Sequence, residues 1–109
     1  MYAKKNLEVL KKLCNAKCRK KLLDCCNKNH IYALCECAEN VLIGNVPLTE
    51  QQKQKLKRHR ASLLKLANPN ITWKIKKKFC KQQQGKGFIT ALLGIAVAAL
   101  ISLFTSAKQ

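Results

Sequence analysis

Residues 88–104 read FITALLGIAVAALISLF, a stretch of 17 residues without a charged side chain. As a helix it would span about 25 Å, somewhat less than the hydrocarbon core of a bilayer, which is about 30 Å thick. Because the stretch is apolar on every face, burial would require neighbours on all sides, which a domain of this size is not expected to supply. We therefore predict a separate tail that spans a membrane, lies in its interface, or packs against a capsid protein or another copy. The predicted membrane-contacting residues are Phe88, Ile89, Leu92, Leu93, Ile95, Val97, Leu100, Ile101, Leu103 and Phe104.

The rest of the chain is strongly basic. The 109 residues contain 22 Lys and Arg against 5 Asp and Glu, a formal net charge of +17. Residues 1–47 have a net charge of +5, whereas residues 48–87 hold twelve basic side chains against one acidic side chain, a net charge of +11. Nucleic acids and anionic membrane surfaces are the partners that such an excess favours. The middle third is therefore predicted to face a polyanion.

Composition favours helices throughout. The sequence shows little alternation of period two, few Gly or Pro residues, and abundant Lys, Leu, Ala and Gln. We predict an all-α fold, a small bundle of three to five short helices with a C-terminal apolar helix. A Cys-rich region (1–47) and a basic region (48–84) would form one domain, followed by a Gly joint (85–87) and the apolar tail (88–109).

Apolar spacing places the first helices. A helix over about residues 4–26 would carry one apolar face, although Asn15 is a candidate break, and the face consists of Leu7, Leu10, Cys14, Cys18 and Cys25. The next segment follows the i, i+3, i+4, i+7 spacing of a half-buried helix, and its apolar residues are Ile31, Leu34, Cys35, Ala38, Val41 and Leu42. Gly44 and Pro47 are predicted to end it.

Two more helices are predicted in the basic region. Residues 49–52 read TEQQ, a capping box that should start a helix at Thr49. The apolar side of that helix would be formed by Leu56, His59, Leu63, Leu66 and Ala67. After a turn at residues 68–70, Thr72 is predicted to cap another helix, in which Trp73 is expected to be a core aromatic rather than an interfacial anchor.

The basic residues of these helices are the candidate nucleic-acid site. The set consists of Lys53, Lys55, Lys57, Arg58, Arg60, Lys65, Lys74, Lys77, Lys78 and Lys81. The last four follow i, i+3, i+4, i+7 spacing, so they would repel one another unless an anion lies against them. Since the segment has few aromatic residues to stack single-stranded bases, double-stranded DNA is the predicted partner. The alternative is a solvated surface that only keeps the chain soluble.

The remaining polar residues do not form a recognisable catalytic or metal site. The seven cysteines lack paired C-x₂-C motifs and mostly occupy apolar helix positions, so we interpret them as reduced core thiols without a metal. Cys37 lies off the apolar stripe and is the thiol predicted to be available for intermolecular pairing. A disulfide from Cys25 or Cys26 to the third helix remains an alternative in an oxidising particle. Neither the two histidines nor the scattered acids suggest a catalytic triad or carboxylate pair, so we predict no enzyme and no cofactor.

Residues 35–94 read CECAENVLIGNVPLTEQQKQKLKRHRASLLKLANPNITWKIKKKFCKQQQGKGFITALLG. This stretch resembles the small basic proteins of Polinton/Maverick and adintovirus elements through C-E-C before a helix, N-V-P-L-T opening the next helix, two lysine runs, and a glycine joint before an apolar tail. Relatives often show a glycine run where this chain has Gly85, Lys86 and Gly87. The counterparts have been compared with adenoviral core protein X and the membrane-active protein VI.

The resemblance implies a virion-associated protein, located in the virion core or host nucleus, that neutralises packaged DNA and has membrane activity during entry. It would assign DNA contacts to residues 53–65 and 74–81 and membrane contacts to residues 88–104. Our leading hypothesis is thus a non-enzymatic DNA-condensing core protein of a virus-like DNA transposon. The alternative is a tail-anchored or membrane-disrupting protein whose basic segment binds anionic lipid.

Overall fold

A computed structural model describes residues 2–14, 19–44, 46–83 and 87–107, and the side chains of all of these except residues 2, 3 and 99–107. Within these ranges the regular secondary structure is entirely helical, which confirms the all-α class. The described helical segments are α1 (Tyr2–Lys5), α2 (Leu7–Cys14), α3 (Arg19–Cys25), α4 (Lys28–Leu42), α5 (Glu50–Lys57), α6 (Arg60–Ala67), α7 (Trp73–Gln82) and α8 (Phe88–Ala107).

The described chain is divided into more segments than the predicted three to five. The helix predicted over residues 4–26 is interrupted at Asn6, and residues 15–18, including Cys18 of its predicted face, lie outside the described residues. The helix predicted from Thr49 is divided at residues 58–59, which separate α5 from α6. Short turns of this kind let each segment direct its own apolar side towards the core.

Helix α4 is the central element of the bundle, and α1, α2, α6, α7 and α8 all contact it. A capping box fixes its start: Asn27 Oδ1 accepts from the backbone N–H of His30 at 3.0 Å, and His30 Nδ1 accepts from the backbone N–H of Asn27 at 3.1 Å. Gly44, with a φ of 81°, follows the C-terminus of α4, as the sequence predicts. The buried residues of α4 are Ile31, Ala33, Leu34, Cys35, Cys37, Ala38 and Val41.

The prediction for Cys37 is wrong, because this thiol is only 1% exposed. A helix that is contacted by five others is buried over more of its circumference than a single apolar stripe suggests. Burial, together with the nearby Glu36 and Cys35, raises the pKa of the Cys37 thiol to about 12. Among the described cysteines, the exposed thiol is that of Cys25, at the end of α3.

The capping box predicted at Thr49 is confirmed. Thr49 Oγ1 accepts from the backbone N–H of Gln52 at 3.2 Å, and Gln52 Oε1 accepts from the backbone N–H of Thr49 at 3.0 Å. Leu56, Leu63 and Leu66 are buried as expected, while the half-buried His59 ring lies 5.6 Å from the Phe88 ring. Thr72 is the N-cap residue of α7, although its side chain makes no capping hydrogen bond.

The first half of helix α8, residues 88–97, lies in the core, which contradicts the expectation that the domain could not surround this segment. Helix α8 contacts α2, α4 and α5, and six predicted membrane residues are buried between these elements: Phe88, Ile89, Leu92, Leu93, Ile95 and Val97. Its exposed strip is made by Thr90, Gly94 and Ala98, whose small side chains leave little apolar surface in water. The side chains of Leu100, Ile101, Leu103 and Phe104 lie outside the described residues. Among the residues that the structure describes, no helix has both the length and the apolar composition that crossing a membrane requires.

A buried arginine connects α8 to the N-terminal helices. Arg19 is 3% exposed, and its Nε donates to the Leu13 carbonyl at 2.7 Å. Its Nη2 donates to the Cys14 carbonyl at 3.1 Å and to Thr90 Oγ1 at 2.6 Å. The guanidinium thus satisfies carbonyl groups at the C-terminus of α2, which have no partner within the helix, and joins them to the first turn of α8.

Candidate nucleic-acid interface

Five predicted cations lie together on α5 and at the start of α6. Lys53, Lys55, Lys57, Arg58 and Arg60 are all exposed, and we call this set the α5–α6 surface. The sequence of α5, EQQKQKLK, supplies only one buried side chain, Leu56. The polar remainder of the helix therefore stays in water, with its charged groups available to a ligand.

A single acidic residue lies within this surface. Lys53 Nζ is 3.4 Å from Glu50 Oε1, and the two side chains are 58% and 84% exposed. An ion pair this exposed contributes little to stability, so a phosphate can replace Glu50 at small cost. Lys53, Lys57 and Arg60 also border one shallow groove of about 430 Å³ with an apolar floor that includes Leu56 and Leu63. Val41 and Leu42 of α4 line the same groove, so α5, α6 and α4 meet here.

The four lysines predicted to share one stripe of α7 are divided by the fold into two pairs. Lys74 and Lys78 are exposed. Lys77 Nζ donates to the backbone carbonyls of Asp24 and Cys26, each at 2.9 Å, and Lys81 Nζ lies 2.5 Å from Asp24 Oδ1. The hydrogen bond from Lys81, opposed by partial desolvation, holds the pKa of the Asp24 carboxyl below its usual value of 3.8. Acceptor groups at the end of α3 thus take the place of the external anion that the lysine spacing implies.

Two other lysines of the basic region face inwards. Lys65, a predicted DNA contact, is half-buried, and its Nζ lies 4.4 Å above the Phe79 ring, where the ammonium interacts with the aromatic face. Lys76, which the sequence reasoning omitted, is only 6% exposed. The available sequence signal was its spacing, because Lys76 lies three residues before Phe79 and four before Cys80, two apolar residues that the structure buries.

Sequence reasoning also passed over exposed cations near the N-terminus. Lys11, Lys12, Lys20, Lys21 and Lys28 are all exposed, on α2, α3 and the first turn of α4. Acidic residues share that part of the sequence, and among the described ion pairs Lys11 pairs with Glu8 at 3.4 Å. The exposed positive charge therefore continues beyond the α5–α6 surface.

Four of the six described thiols are buried, namely Cys26, Cys35, Cys37 and Cys80. Among the described residues, no cluster of Cys, His, Asp or Glu has a geometry suited to a metal ion, and the described cysteines are free thiols. Burial is the largest cause that raises the pKa of Cys26 and Cys35, and it raises the pKa of Cys80 to about 12. These thiols remain protonated and unreactive at neutral pH.

Comparison with known protein families, with curated proteins and with solved structures finds no match to this chain.

Proposed function

We propose that this chain is a non-enzymatic protein that binds and condenses double-stranded DNA through the α5–α6 surface. The observation that carries the proposal is the exposure of five cations between residues 53 and 60, with Glu50 as the one acidic residue of α5 and α6. Lysine and arginine side chains on a helix bind phosphates without reading bases, and each phosphate that they neutralise releases condensed counterions. Binding of this kind is independent of sequence and sensitive to salt.

Exposed cations elsewhere support condensation rather than binding to a single site. Lys74 and Lys78 on α7 and the five exposed lysines of α2–α4 add positive charge outside the α5–α6 surface. A protein with cations on several faces can contact more than one DNA segment at once and so reduce their mutual repulsion. The resemblance to the basic proteins of Polinton/Maverick elements supports placing this activity in a virion core.

The test is binding of the full chain to a 20-base-pair duplex at salt concentrations from 50 to 200 mM. If six or more phosphates are contacted, we expect the affinity to fall by about a thousandfold or more across this range. Replacing Lys53, Lys55, Lys57, Arg58 and Arg60 by Gln should reduce the slope of log K against log salt by about 4.5 if each side chain contacts one phosphate.

A matched variant distinguishes binding through a local interface from binding that depends only on the net charge of the protein. Replacing Lys11, Lys12, Lys20, Lys21 and Lys28 by Gln removes the same charge from α2–α4, and we expect a smaller reduction of the slope. Equal losses in the two variants would show that the α5–α6 surface is not the interface. Failure of the wild-type chain to bind duplex DNA at 50 mM salt would refute the proposed function.

Membrane disruption is a second candidate, favoured by the absence of charge over residues 88–104. Because residues 88–97 supply much of the core, this activity would require α8 to leave the bundle and break the contact between Arg19 and Thr90. Dye leakage from phosphatidylserine vesicles tests it, with Thr90→Val as the variant that weakens the contact and should increase leakage. An absence of leakage with both proteins would exclude this candidate.

A further inference from the structure

A groove lies between α4 and the start of α7, on residues that, apart from Lys28, the DNA-binding proposal does not use. Its volume is about 530 Å³, within the range that accommodates a nucleotide-sized molecule. Tyr32 of α4 and Trp73 of α7 both line it, and each is half-buried. Although 41 positions separate them in the sequence, the fold brings these two aromatic side chains to one cavity.

Lys76 is the residue that indicates a ligand. It lines the groove, is 6% exposed, and takes part in none of the described ion pairs. The Cys35 thiol lies beside it, and the Lys76 ammonium opposes the burial that raises the pKa of this thiol. Burying an ammonium group costs free energy unless an anion compensates it. The Lys76 ammonium hydrogen-bonds the Cys35 thiol, which is a weak acceptor. An anionic group that enters the groove would be a stronger acceptor for its other N–H groups.

Two further features add binding capacity for an anion at the same groove. The first turn of α7 begins at this groove. Its N-cap residue, Thr72, makes no side-chain hydrogen bond, so the free backbone N–H groups of that turn are not capped by this side chain. Lys28 lies at the edge of the groove, with its Nζ 5.6 Å from the centre of the Tyr32 ring. A phosphate would thus meet a buried ammonium, an exposed ammonium and a helix N-terminus.

Glu36 and Glu39 also line the groove and would repel a simple anion. Carboxylates only accept hydrogen bonds, so they suit a ligand that carries N–H donors as well as negative charge. A nucleotide combines these properties, since its phosphate is anionic, its base has an aromatic face, and the amino and imino groups of guanine are donors. Proteins that hold an unstacked base place it against aromatic side chains and bond its polar edge in this way.

We propose that the α4–α7 groove holds one unstacked guanine nucleotide of the bound nucleic acid. The base packs against Trp73 and Tyr32, its N–H groups donate to Glu36 or Glu39, and its phosphate pairs with Lys76. The proposal rests on the proposed function in one respect, which is the source of the nucleotide. That source would be an unpaired position or a strand end of the bound DNA. The groove can therefore be tested separately with a free nucleotide.

The chain provides its own reporter, because Trp73 is its single tryptophan. Deoxyguanosine 5′-monophosphate added to the full chain should quench Trp73 fluorescence to saturation. Deoxyribose 5-phosphate, which lacks the base, should bind at least about tenfold more weakly, measured by competition, because base stacking is lost. An equal affinity for the two compounds would show a site for phosphate alone and overturn the proposal, as would an absence of quenching.

Variants assign the contacts. We expect Lys76→Met and Tyr32→Leu each to weaken nucleotide binding at least about tenfold, whereas Lys78→Met, an exposed position of the same helix, should leave it unchanged. If Lys76→Met fails to fold by circular dichroism, Tyr32→Leu and the comparison of the two compounds decide the outcome. Duplex binding is measured on the same samples. For the wild-type chain, an absence of quenching with duplex binding intact refutes the groove alone, and an absence of duplex binding with quenching intact refutes the proposed function alone.

Discussion

The two lysine-rich segments of this chain look alike in sequence and differ in the fold. From residue 53 to residue 60 the cations lie on helices that have few buried side chains, and all five are exposed. From residue 74 to residue 81 they lie on α7, whose buried residues are Lys76, Phe79 and Cys80. Helix α5 is therefore a surface helix, whereas α7 is a core helix that also carries lysines.

The number of cations in a segment therefore does not measure the charge that is available to a ligand. In α7, Lys77 and the exposed Lys81 are directed to acceptors on residues 24–26, whereas Lys74 and Lys78 are exposed and do not contact those acceptors in the described structure. The electrostatic repulsion that the spacing implies is relieved within the protein. Four measurements test whether the two segments differ in this way.

The largest expected effect concerns the inward face of α7. With a pKa of about 12, Cys80 is thiolate in about one molecule in ten thousand at pH 8, so it should resist iodoacetamide until the protein unfolds. The exposed Cys25 should be modified first, and peptide mass spectrometry gives the order. If Cys80 of the folded protein reacts as fast as Cys25, α7 is not a core helix.

The second effect is on DNA affinity. Lys53→Gln with Lys57→Gln should lower the slope of log K against log salt by about 1.8, as expected for two lost phosphate contacts. Lys77→Gln with Lys81→Gln removes the same charge, but these side chains already bond to the protein, so the slope should change by less than half as much. Equal changes, measured by fluorescence anisotropy on the same duplex, would mean that the two segments bind DNA alike.

The third effect is on stability. Lys77→Met removes two hydrogen bonds to backbone carbonyls, and we expect it to lower the free energy of unfolding by about 1–2 kcal/mol. Lys78→Met, at the adjacent exposed position, should stay within about 0.5 kcal/mol of the wild type. Urea denaturation followed by circular dichroism measures both. A Lys77→Met protein as stable as Lys78→Met would show that the contact with residues 24–26 contributes nothing.

The smallest effect is the pH dependence of the ion pair between Asp24 and Lys81. Because folding lowers the pKa of Asp24 below 3.8, the pair stabilises the folded state above that pH, and this contribution is lost as the pH falls through the lowered pKa. The difference in stability between wild type and Asp24→Asn should therefore be constant from pH 5 to 7 and disappear in acid. It should also decrease in high salt, since the side chains are partly exposed. A difference that persists below the lowered pKa would rule out ionisation of Asp24 as its cause.

Much of the local structure could be predicted because its determinants are close in sequence. The capping box at Thr49 needs only residues 49–52, and the end of α4 needs Gly44. The apolar positions of α4 follow from helical spacing, although the burial of Cys37 does not, since it depends on how many helices surround α4. The position of α8 could not be predicted, because whether a uniformly apolar helix is enclosed depends on the combined faces of α2, α4 and α5.

The candidate site divides in the same way. The α5–α6 surface is exposed because its segment has one leucine among polar residues, and the sequence alone therefore determined this exposure. The sequence alone also determined the helical class and the excess of positive charge. The tertiary structure was needed to show that Lys77 and Lys81 meet the end of α3. It was also needed to show that Lys76 joins Tyr32 and Trp73 at one groove. The burial of residues 88–97 of α8 likewise depends on the tertiary structure. Composition and periodicity act within a few turns of helix, whereas burial and pairing depend on residues that are distant along the chain.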